Sequence, residues 1–284
     1  MLVSPLRYPG GKAKLFDFFS QLIVQNELLG CKYCEPYAGG AGLALKLLSG
    51  GFVSEIFLND IDEAIWAFWT SALTQNQKFC ELIESTEVTI SEWYRQRDIW
   101  RAKDASNVLE LGFATFFLNR TNRSGIIEGA GPVGGYAQSG EWKLDARFDR
   151  TKQAAAIRAL APYRTKIRVT NLDALDFIKT TLSDKNSLTY LDPPYYVKGS
   201  KLYRNSYRHE DHLAVRDAVG KKRNGRWVVS YDAVSQIREI YSDFDPIYYA
   251  LSYSAGQVAS GKEVIFVSDS LMSPSLAGFV RIAA

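Results

Sequence analysis

The chain has 284 residues, 46% hydrophobic and 23% charged, so it can bury one large domain or one domain that carries an insert. The chain lacks an apolar run of the roughly 18 residues that a membrane span needs. Pro5 and Arg7 interrupt any signal-peptide core, so a cytoplasmic protein is expected. Three cysteines and two histidines disfavour a disulfide scaffold, a histidine-based catalytic triad and a histidine-ligated metal. Cys31 and Cys34 form a CxxC without a second ligand pair, so structural thiols are expected.

The net charge of +3 is distributed unevenly along the chain. Residues 91–170 contain 14 Lys and Arg against 8 Asp and Glu, residues 198–226 contain 9 against 3, and the remainder is acidic. Clustered positive charge is expected of a surface that binds a polyanion such as nucleic acid. On charge alone, a solvated basic face is an equal alternative.

Short apolar runs separated by helical patterns predict an α/β fold. Because strands alternate with helices, a mostly parallel sheet covered on both faces is expected, with ligands bound beyond the carboxyl ends of the strands. The predicted strands are 32–35, 55–60, 166–171, 187–192, 226–231 and 263–268, and the predicted helices between them are 41–48, 63–73, 174–182 and 209–219.

Between about 75 and 160 this alternation stops. Helical patterns at 91–103 and 108–118 lead into a loop that has six glycines in residues 125–140. A long glycine-rich loop in a compact domain is usually functional or mobile, and we expect this one to be poorly ordered without its ligand. We interpret 75–160 as a helical insert in an α/β domain formed by 1–74 and 161–284.

A glycine-rich turn, EPYAGGAG at 35–42, follows the first predicted strand. Its glycines let the backbone approach a ligand closely, although Gly-Gly alone indicates only a turn. Asn59 and Asp60 end the next predicted strand, where an acidic residue is well placed to bind both hydroxyls of a ribose. Together these features indicate a ligand that contains adenosine. The RYPGGK segment at 7–12 is not a Walker A motif, because Leu6 and Ala13 stand where that motif needs Gly and Ser or Thr.

The fourth predicted strand ends in LDPPYY at 191–196. Pro193 and Pro194 have a fixed φ and no N–H, so the strand must end at Asp192, and a rigid turn alone would explain the motif. A chemical interpretation is also open. Asp192 and the Pro193 carbonyl could each accept one N–H of a planar amine while Tyr195 covers the ring, which frees the nitrogen lone pair to attack an electrophile.

These motifs, in this order, resemble those of the Dam-type (D12 class) DNA adenine-N6 methyltransferases. The resemblance covers most of the chain, from RYPGGK through EPYAGGAG, NDID and DPPY. Further matching segments are LNRTNRSG at 118–125, SYRHEDHLAV at 206–215, WVVSYD at 227–232 and EVIFVSD at 263–269.

The resemblance implies a Rossmann-like methyltransferase fold with a mostly parallel seven-stranded sheet, helices on both faces and a mainly helical target-recognition domain inserted at 75–160. It implies S-adenosylmethionine as the cofactor, S-adenosylhomocysteine as the product, and no metal. Asp60 would bind the ribose hydroxyls, and residues 171–173 would contact the cofactor adenine. The cofactor-binding residues so implied are Tyr8, Gly11, Lys12, Glu35, Pro36, Tyr37, Gly39, Gly40, Gly42, Asp60, Ile61, Asn171, Leu172, Asp173 and Asp192.

The resemblance also implies the catalytic residues, Asp192, Pro193, Pro194 and Tyr195. The Asp192 carboxylate would accept a hydrogen bond from N6 of the target adenine. That base must leave the duplex, at a cost of roughly a few kcal/mol. Stacking on Tyr195, worth about 1–3 kcal/mol, would offset part of this cost.

Double-stranded DNA is the implied partner, bound by a monomer or by a dimer on DNA. The implied location is the cytoplasm or nucleoid of a bacterium, or the host cytoplasm for a phage-encoded protein. Cations that pair with phosphates and amides able to read base edges occur together in the LNRTNRSG segment, although an ordinary polar helix end is the alternative. For His212 we expect helix packing, and Tyr196 is expected either to stack on DNA or to pack. The DNA-binding residues so implied are Asn119, Arg120, Asn122, Arg123, Ser124, Lys198 and Arg204, with Lys201 and Arg208 beside the last two.

The sequence departs from GATC-specific members at two positions. Those members have an aromatic wedge where this chain has Arg123, and a base-reading arginine near the position of Glu128, which counts against GATC as the recognition sequence. Alternatives to the adenine assignment are another amine, such as cytosine N4 in DNA or adenine N6 in RNA, a small-molecule or protein methyltransferase, and a non-catalytic DNA-binding protein.

Overall fold

The computed structural model describes residues 1–7, 12–197, 207–221, 224–253, 259–275 and 279–281. Its strands are β1 (Cys31–Glu35), β2 (Val53–Asn59), β3 (Ile167–Thr170), β4 (Ser187–Leu191), β5 (Trp227–Asp232), β6 (Ile247–Tyr253), β7 (Ala259–Val267) and β8 (Phe279–Arg281). Its helices are α1 (Phe16–Gln25), α2 (Gly42–Ser49), α3 (Glu63–Thr74), α4 (Asn76–Ser85), α5 (Ile90–Ala102), α6 (Val108–Thr121), α7 (Arg150–Arg158), α8 (Ala174–Thr181), α9 (His209–Gly220) and α10 (Ser235–Ile240).

The strands form one sheet in the order β3-β2-β1-β4-β5-β7-β6-β8. The first five are parallel neighbours, and the last three join through antiparallel pairs. All six predicted strands are present, and the predicted mostly parallel sheet is confirmed. The sequence did not locate the helices α1, α4, α7 and α10 or the strands β6 and β8. The described sheet has eight strands, one more than the seven that the resemblance implied.

The sheet reverses its direction of growth between β1 and β4, which opens a crevice at their carboxyl ends. Every residue of β4 and β5 is buried, as expected for central strands covered on both faces. The three cysteines are buried and free, and burial raises the pKa of Cys31 to about 11, so it packs as a neutral thiol. Among the described residues, no helix is long and apolar enough to cross a membrane.

The segment 75–160 contains four helices, and its hydrophobic core continues into the α/β part. The central residues of α6 are buried all round, and α6 packs along α3. Gly112 permits this approach, because a Cβ there would lie 2.3 Å from Oγ of Ser71 and 2.6 Å from the carbonyl oxygen of Ala67. One core therefore crosses the predicted boundary at 74/75, and the separate recognition role of the segment stays a prediction.

Candidate active site

Polar side chains follow the carboxyl ends of all five parallel strands. Glu35 ends β1, Asp60 follows β2, Asn171 follows β3, Asp192 follows β4 and Asp232 ends β5. Since the carboxyl ends of parallel strands lie at one edge of a sheet, these residues share one edge.

The carboxylate of Asp192 is held through one of its two oxygens. The Lys12 ammonium lies 3.1 Å from Oδ1, and the Ser230 hydroxyl donates to the same atom at 3.0 Å. Because Ser230 has a single proton to donate, the Tyr190 hydroxyl at 2.7 Å must donate to Ser230. In the described part of the chain, Oδ2 has no hydrogen-bond partner, so one carboxylate oxygen is left for a ligand.

Burial is the largest influence on Asp192, and it raises the pKa of this carboxyl. The charge of Lys12 opposes the rise, whereas the nearby charge of Glu263 adds to it. The result is a carboxylate that accepts hydrogen bonds and has a greater affinity for a proton than an exposed aspartate.

Glu263, on β7, is a buried carboxylate next to Asp192 that joins three side chains. It accepts hydrogen bonds from the hydroxyls of Tyr195 and Tyr249, and Nζ of Lys12 lies 3.4 Å from its Oε2. Lys12 also donates to the Tyr195 hydroxyl at 2.5 Å. These contacts fix the ring of Tyr195 beside Asp192.

The Asp-Pro-Pro-Tyr turn is held at its far end by Asp232. The two carboxylate oxygens of Asp232 accept the backbone N–H groups of Tyr196 and Val197, at 3.0 and 3.1 Å. The Tyr196 ring lies 5.0 Å from the ring of buried His212, and its hydroxyl contacts His209 at 3.1 Å. Tyr196 therefore packs against α9, and His212 has the packing position expected of it.

Five supporting residues of this cluster were not among the predicted site residues. Ser230 and Asp232 lie in the WVVSYD match, and Glu263 begins the EVIFVSD match, so a lone charge in an otherwise apolar strand was the available signal. Tyr190 and Tyr249 lie in strand interiors, where sequence gives no indication of their hydroxyl partners.

The glycine turn after β1 is fixed against its neighbours. The Gly39 carbonyl accepts the Trp69 indole N–H at 2.8 Å, and the Gly39 N–H donates to Oδ2 of Asp60 at 3.0 Å. Gly39 has φ +45°, a left-handed conformation that glycine adopts without strain. The turn therefore holds its backbone beside Asp60, which itself follows the end of β2.

Asn59 connects three strand ends and is fully buried. Its amide donates to the carbonyls of Pro36 and Leu172 at 3.1 and 3.0 Å, and its oxygen accepts from Thr170 and from the Leu172 N–H. One side chain thus fixes the loops after β1, β2 and β3 relative to each other. The sequence placed Asn59 at a strand end but did not indicate this role.

The residues around Asp60 fit the adenosine part of S-adenosylmethionine. Burial raises the pKa of Asp60 to about 7, although N–H groups of Gly39 and Asp62 stabilise the carboxylate. Ile61 and Leu172, which follow the ends of β2 and β3, are 49% and 46% exposed. Their exposed apolar surface near the Asp60 carboxyl is compatible with contact to an adenine ring.

The remaining predicted cofactor residues lie around this edge with different surroundings. Glu35 is buried, its carboxylate accepts from Tyr33 at 3.1 Å, and burial raises its pKa to about 8. Tyr37 pairs with Tyr207, and Lys12 belongs to the Asp192 cluster. Pro36 and Gly40 belong to the turn after β1, and Gly42 begins α2. The side chain of Asn171 donates to the carbonyls of residues 60 and 61, and that of Asp173 caps α8. Tyr8 and Gly11 lie outside the described residues.

Two predicted base-reading residues are internal. The amide nitrogen of Asn119 donates to the carbonyls of Arg7 and Gly125, and its oxygen accepts the Arg7 N–H. The Asn122 oxygen accepts the Trp93 indole N–H at 2.7 Å, and its nitrogen donates to the carbonyls of residues 126 and 127. Both side chains are buried. Both N–H donors of each amide are already bonded to backbone carbonyls inside the protein, so this arrangement is at odds with the prediction for Asn119 and Asn122.

The other predicted DNA contacts differ in exposure. Arg120 is largely buried and donates to the Pro5 carbonyl, whereas Arg123 and Arg208 are exposed and Ser124 is half-buried. The loop 125–140 consists of turns joined by hydrogen bonds, such as the 2.9 Å bond from the Val133 N–H to the Thr121 carbonyl. Its expected disorder without DNA stays a prediction. Lys198, Lys201 and Arg204 lie outside the described residues.

This fold and this strand-end site define a Rossmann-like, S-adenosylmethionine-dependent methyltransferase. The family model of the D12 class N6 adenine-specific DNA methyltransferases matches residues 8–254, and the chain belongs to that family. DNA adenine is thus the substrate class and S-adenosylmethionine the methyl donor. No curated protein sequence is significantly similar to the chain.

Solved structures similar to this chain include methyltransferases at low identity. The rRNA methyltransferase AviRa from Streptomyces viridochromogenes is 10% identical with a TM-score of 0.37, over 92% of this chain and 86% of its own. A Listeria monocytogenes protein assigned to the class I S-adenosylmethionine-dependent methyltransferases is 12% identical with a TM-score of 0.37, over 91% of this chain and 62% of its own. TM-scores this low carry no argument about substrate.

Proposed function

We propose that this protein transfers a methyl group from S-adenosylmethionine to N6 of an adenine flipped out of double-stranded DNA, at a defined recognition sequence. The observation that carries the proposal is the asymmetric environment of Asp192. Its Oδ1 is bound by Lys12 and Ser230, whereas its Oδ2 has no partner among the described residues and lies in the same turn as the Pro193 carbonyl and Tyr195.

In this proposal, Oδ2 of Asp192 and the Pro193 carbonyl accept the two N6–H groups of the adenine. Two acceptors directed at one amino group draw its lone pair out of conjugation with the ring, which makes the nitrogen a better nucleophile. Tyr195, fixed through its hydroxyl by Glu263 and Lys12, covers the face of the base.

S-adenosylmethionine supplies an electrophilic methyl group on a sulfonium, which is a good leaving group. The nitrogen forms its bond to the methyl carbon as the carbon–sulfur bond breaks, and the amine then carries one proton more than the product. Asp192, whose pKa burial raises, is in position to accept that proton. Asp60 and the glycine turn would hold the ribose and methionine parts, and Ile61 and Leu172 the adenine.

For the DNA surface we propose Arg120, Arg123 and Ser124 from the segment 75–160, acting as a target-recognition region. Arg123 is exposed and can pair with phosphate or read a base edge. Asn119 and Asn122 are reassigned from DNA contact to support of this surface, because their amides hold its backbone.

The test is transfer of a labelled methyl group to duplex DNA, followed by nucleoside analysis of the product. We expect N6-methyladenine, with single-stranded DNA and RNA as poorer substrates. N4-methylcytosine as the product, or methylation of RNA alone, would overturn the proposal. Sequencing DNA from cells that express the protein, with a method that reports modified bases, would give the recognition sequence.

A further inference from the structure

A groove of about 1190 Å³ lies between the first seven residues and the region around α7. Its lining includes Arg7, at the end of the first segment, and Arg120 from α6. Arg147 and Lys152 also line it. Four basic side chains from three parts of the sequence thus meet at one groove, outside the strand-end site.

Within the described ranges, the three arginines of this groove have no negative partner. In the residues that the structure describes, Arg7, Arg120 and Arg147 form no ion pair, although two exposed aspartates line the same groove. The Nη1 of Arg7 and the Nε of Arg120 are buried and have no hydrogen-bond partner there. Buried guanidinium donors without an acceptor are costly unless a ligand supplies one.

The charges of these arginines also oppose one another. Burial and then the charge of Arg147 lower the pKa of Arg7. Burial and then the charge of Arg7 lower the pKa of Arg120 to about 10. Mutual repulsion of this kind is relieved when an anion binds between the cations.

The fold holds the arginines in place through other contacts. The backbone N–H and carbonyl of Arg7 are both bonded to Asn119, at 2.7 Å each. The guanidinium of Arg120 donates to the Pro5 carbonyl through Nη2. The groove is therefore preformed, and its unpartnered donors do not depend on a flexible surface side chain.

We propose that this groove binds a backbone phosphate of the DNA, on the flank of the target adenine. The proposal rests on the proposed function. Guanidinium groups match phosphate oxygens in geometry and charge. Arg7 precedes Lys12 of the Asp192 cluster by five positions, so their Cα atoms are at most about 18 Å apart. With about 3.4 Å of rise per nucleotide, this Cα separation corresponds to about five nucleotides, which puts the groove on the flank of the target base.

The test compares the salt dependence of DNA binding for the wild type, Arg147→Gln and Arg7→Gln. Each lost phosphate contact should make the negative slope of log association constant against log salt concentration shallower by about 0.9. It should also weaken DNA affinity at 0.15 M salt by about fivefold. The loss should be equal on two duplexes of unrelated sequence, because phosphate contacts carry no sequence information. Affinity for S-adenosylmethionine should not change.

Arg150→Gln is the matched control, because Arg150 is exposed on α7 and donates to the Thr86 carbonyl, and it does not line the groove. Its slope should equal that of the wild type. Slopes of the two groove variants equal to the control would overturn the groove assignment while leaving the proposed function intact. Failure of the wild type to bind any DNA would overturn both. Arg147 is exposed, so its variant tests the groove even if Arg7→Gln unfolds.

Discussion

The ammonium nitrogen of Lys12 lies 3.1 Å from Oδ1 of Asp192, joining the start of the chain to the end of β4. The same nitrogen lies 3.4 Å from Oε2 of Glu263, so one cation serves two carboxylates. A buried ion pair is weak evidence for stability, because desolvation offsets the attraction. Its effect here is positional, since it fixes Oδ1 of Asp192 and leaves Oδ2 for the substrate.

Replacing Asp192 with Ala should abolish methylation while leaving DNA binding largely intact. The variant loses one acceptor for N6–H and the group that takes up the proton, which we expect to lower kcat by at least about 100-fold. Single-turnover methyl transfer and DNA affinity would be measured on the same preparation. Asp176→Asn, an exposed change on α8, is the control. Near-normal turnover by Asp192→Ala would show that the role given to this carboxylate is wrong.

Replacing Glu263 with Gln should shift the pH dependence of turnover in a defined direction. The charge of Glu263 raises the pKa of Asp192, so removing that charge should lower it. Since Asp192 must be ionised to accept N6–H, the acidic limb of the kcat–pH profile should move to lower pH.

Tyr249→Phe is the matched control for Glu263→Gln. It removes one hydrogen bond to the Glu263 carboxylate and keeps its charge. We expect its acidic limb to stay near that of the wild type, whereas a general loosening of the cluster would affect both variants alike. An acidic limb at the same pH in Glu263→Gln and in the wild type would contradict electrostatic coupling between Glu263 and Asp192.

The sequence was sufficient to place the strand-end residues, but it did not indicate the side chains that hold them. Asp60 and Asp192 follow apolar runs directly, so a parallel sheet brings them to one edge regardless of detail. Glu263 reaches the same Lys12 ammonium as Asp192 because β7 runs antiparallel beside β5, with Glu263 in register with Asp232. That register depends on how the strands pair in the folded sheet, and no local sequence pattern encodes it.

For the LNRTNRSG segment, the sequence indicated the composition of a DNA-binding surface but not which of its side chains are buried. Alternating amides and cations are typical of a DNA-reading segment, and composition cannot tell which of them face inward. The burial of α6 against α3 turns Asn119 and Asn122 into the interior, where backbone groups need their amides. The exposed Arg123 retains the predicted role as a proposal.

The ligand-free protein should lose stability as pH rises from about 5 to about 8. The pKa of Glu35 is about 8 in the folded state and near 4.5 in the unfolded chain, so the unfolded state releases its proton first. The contribution of Glu35 to the unfolding free energy is then complete below its unfolded pKa. It is lost as pH rises through the folded pKa, by at most about 1.4 kcal/mol per pH unit.

Urea unfolding across this pH range would measure the effect of Glu35. In Glu35→Gln this part of the pH dependence should be absent, because glutamine stays neutral and still accepts from Tyr33. Glu87→Gln, at an exposed position, should follow the wild type. Parallel pH curves for the wild type and Glu35→Gln would show that Glu35 ionises in the folded protein as it does in the unfolded chain.

Asn122→Ala and Arg123→Gln should separate support from recognition at adjacent positions. Asn122→Ala leaves the buried Trp93 indole N–H and the carbonyls of residues 126 and 127 without a partner, so we expect a loss of about 2–4 kcal/mol in unfolding free energy. Arg123→Gln is an exposed change, and its unfolding free energy should stay within about 0.5 kcal/mol of wild type while DNA affinity falls. Denaturant unfolding and DNA titration would be measured on both. A stable Asn122→Ala variant that loses only sequence discrimination would restore Asn122 as a base-reading residue.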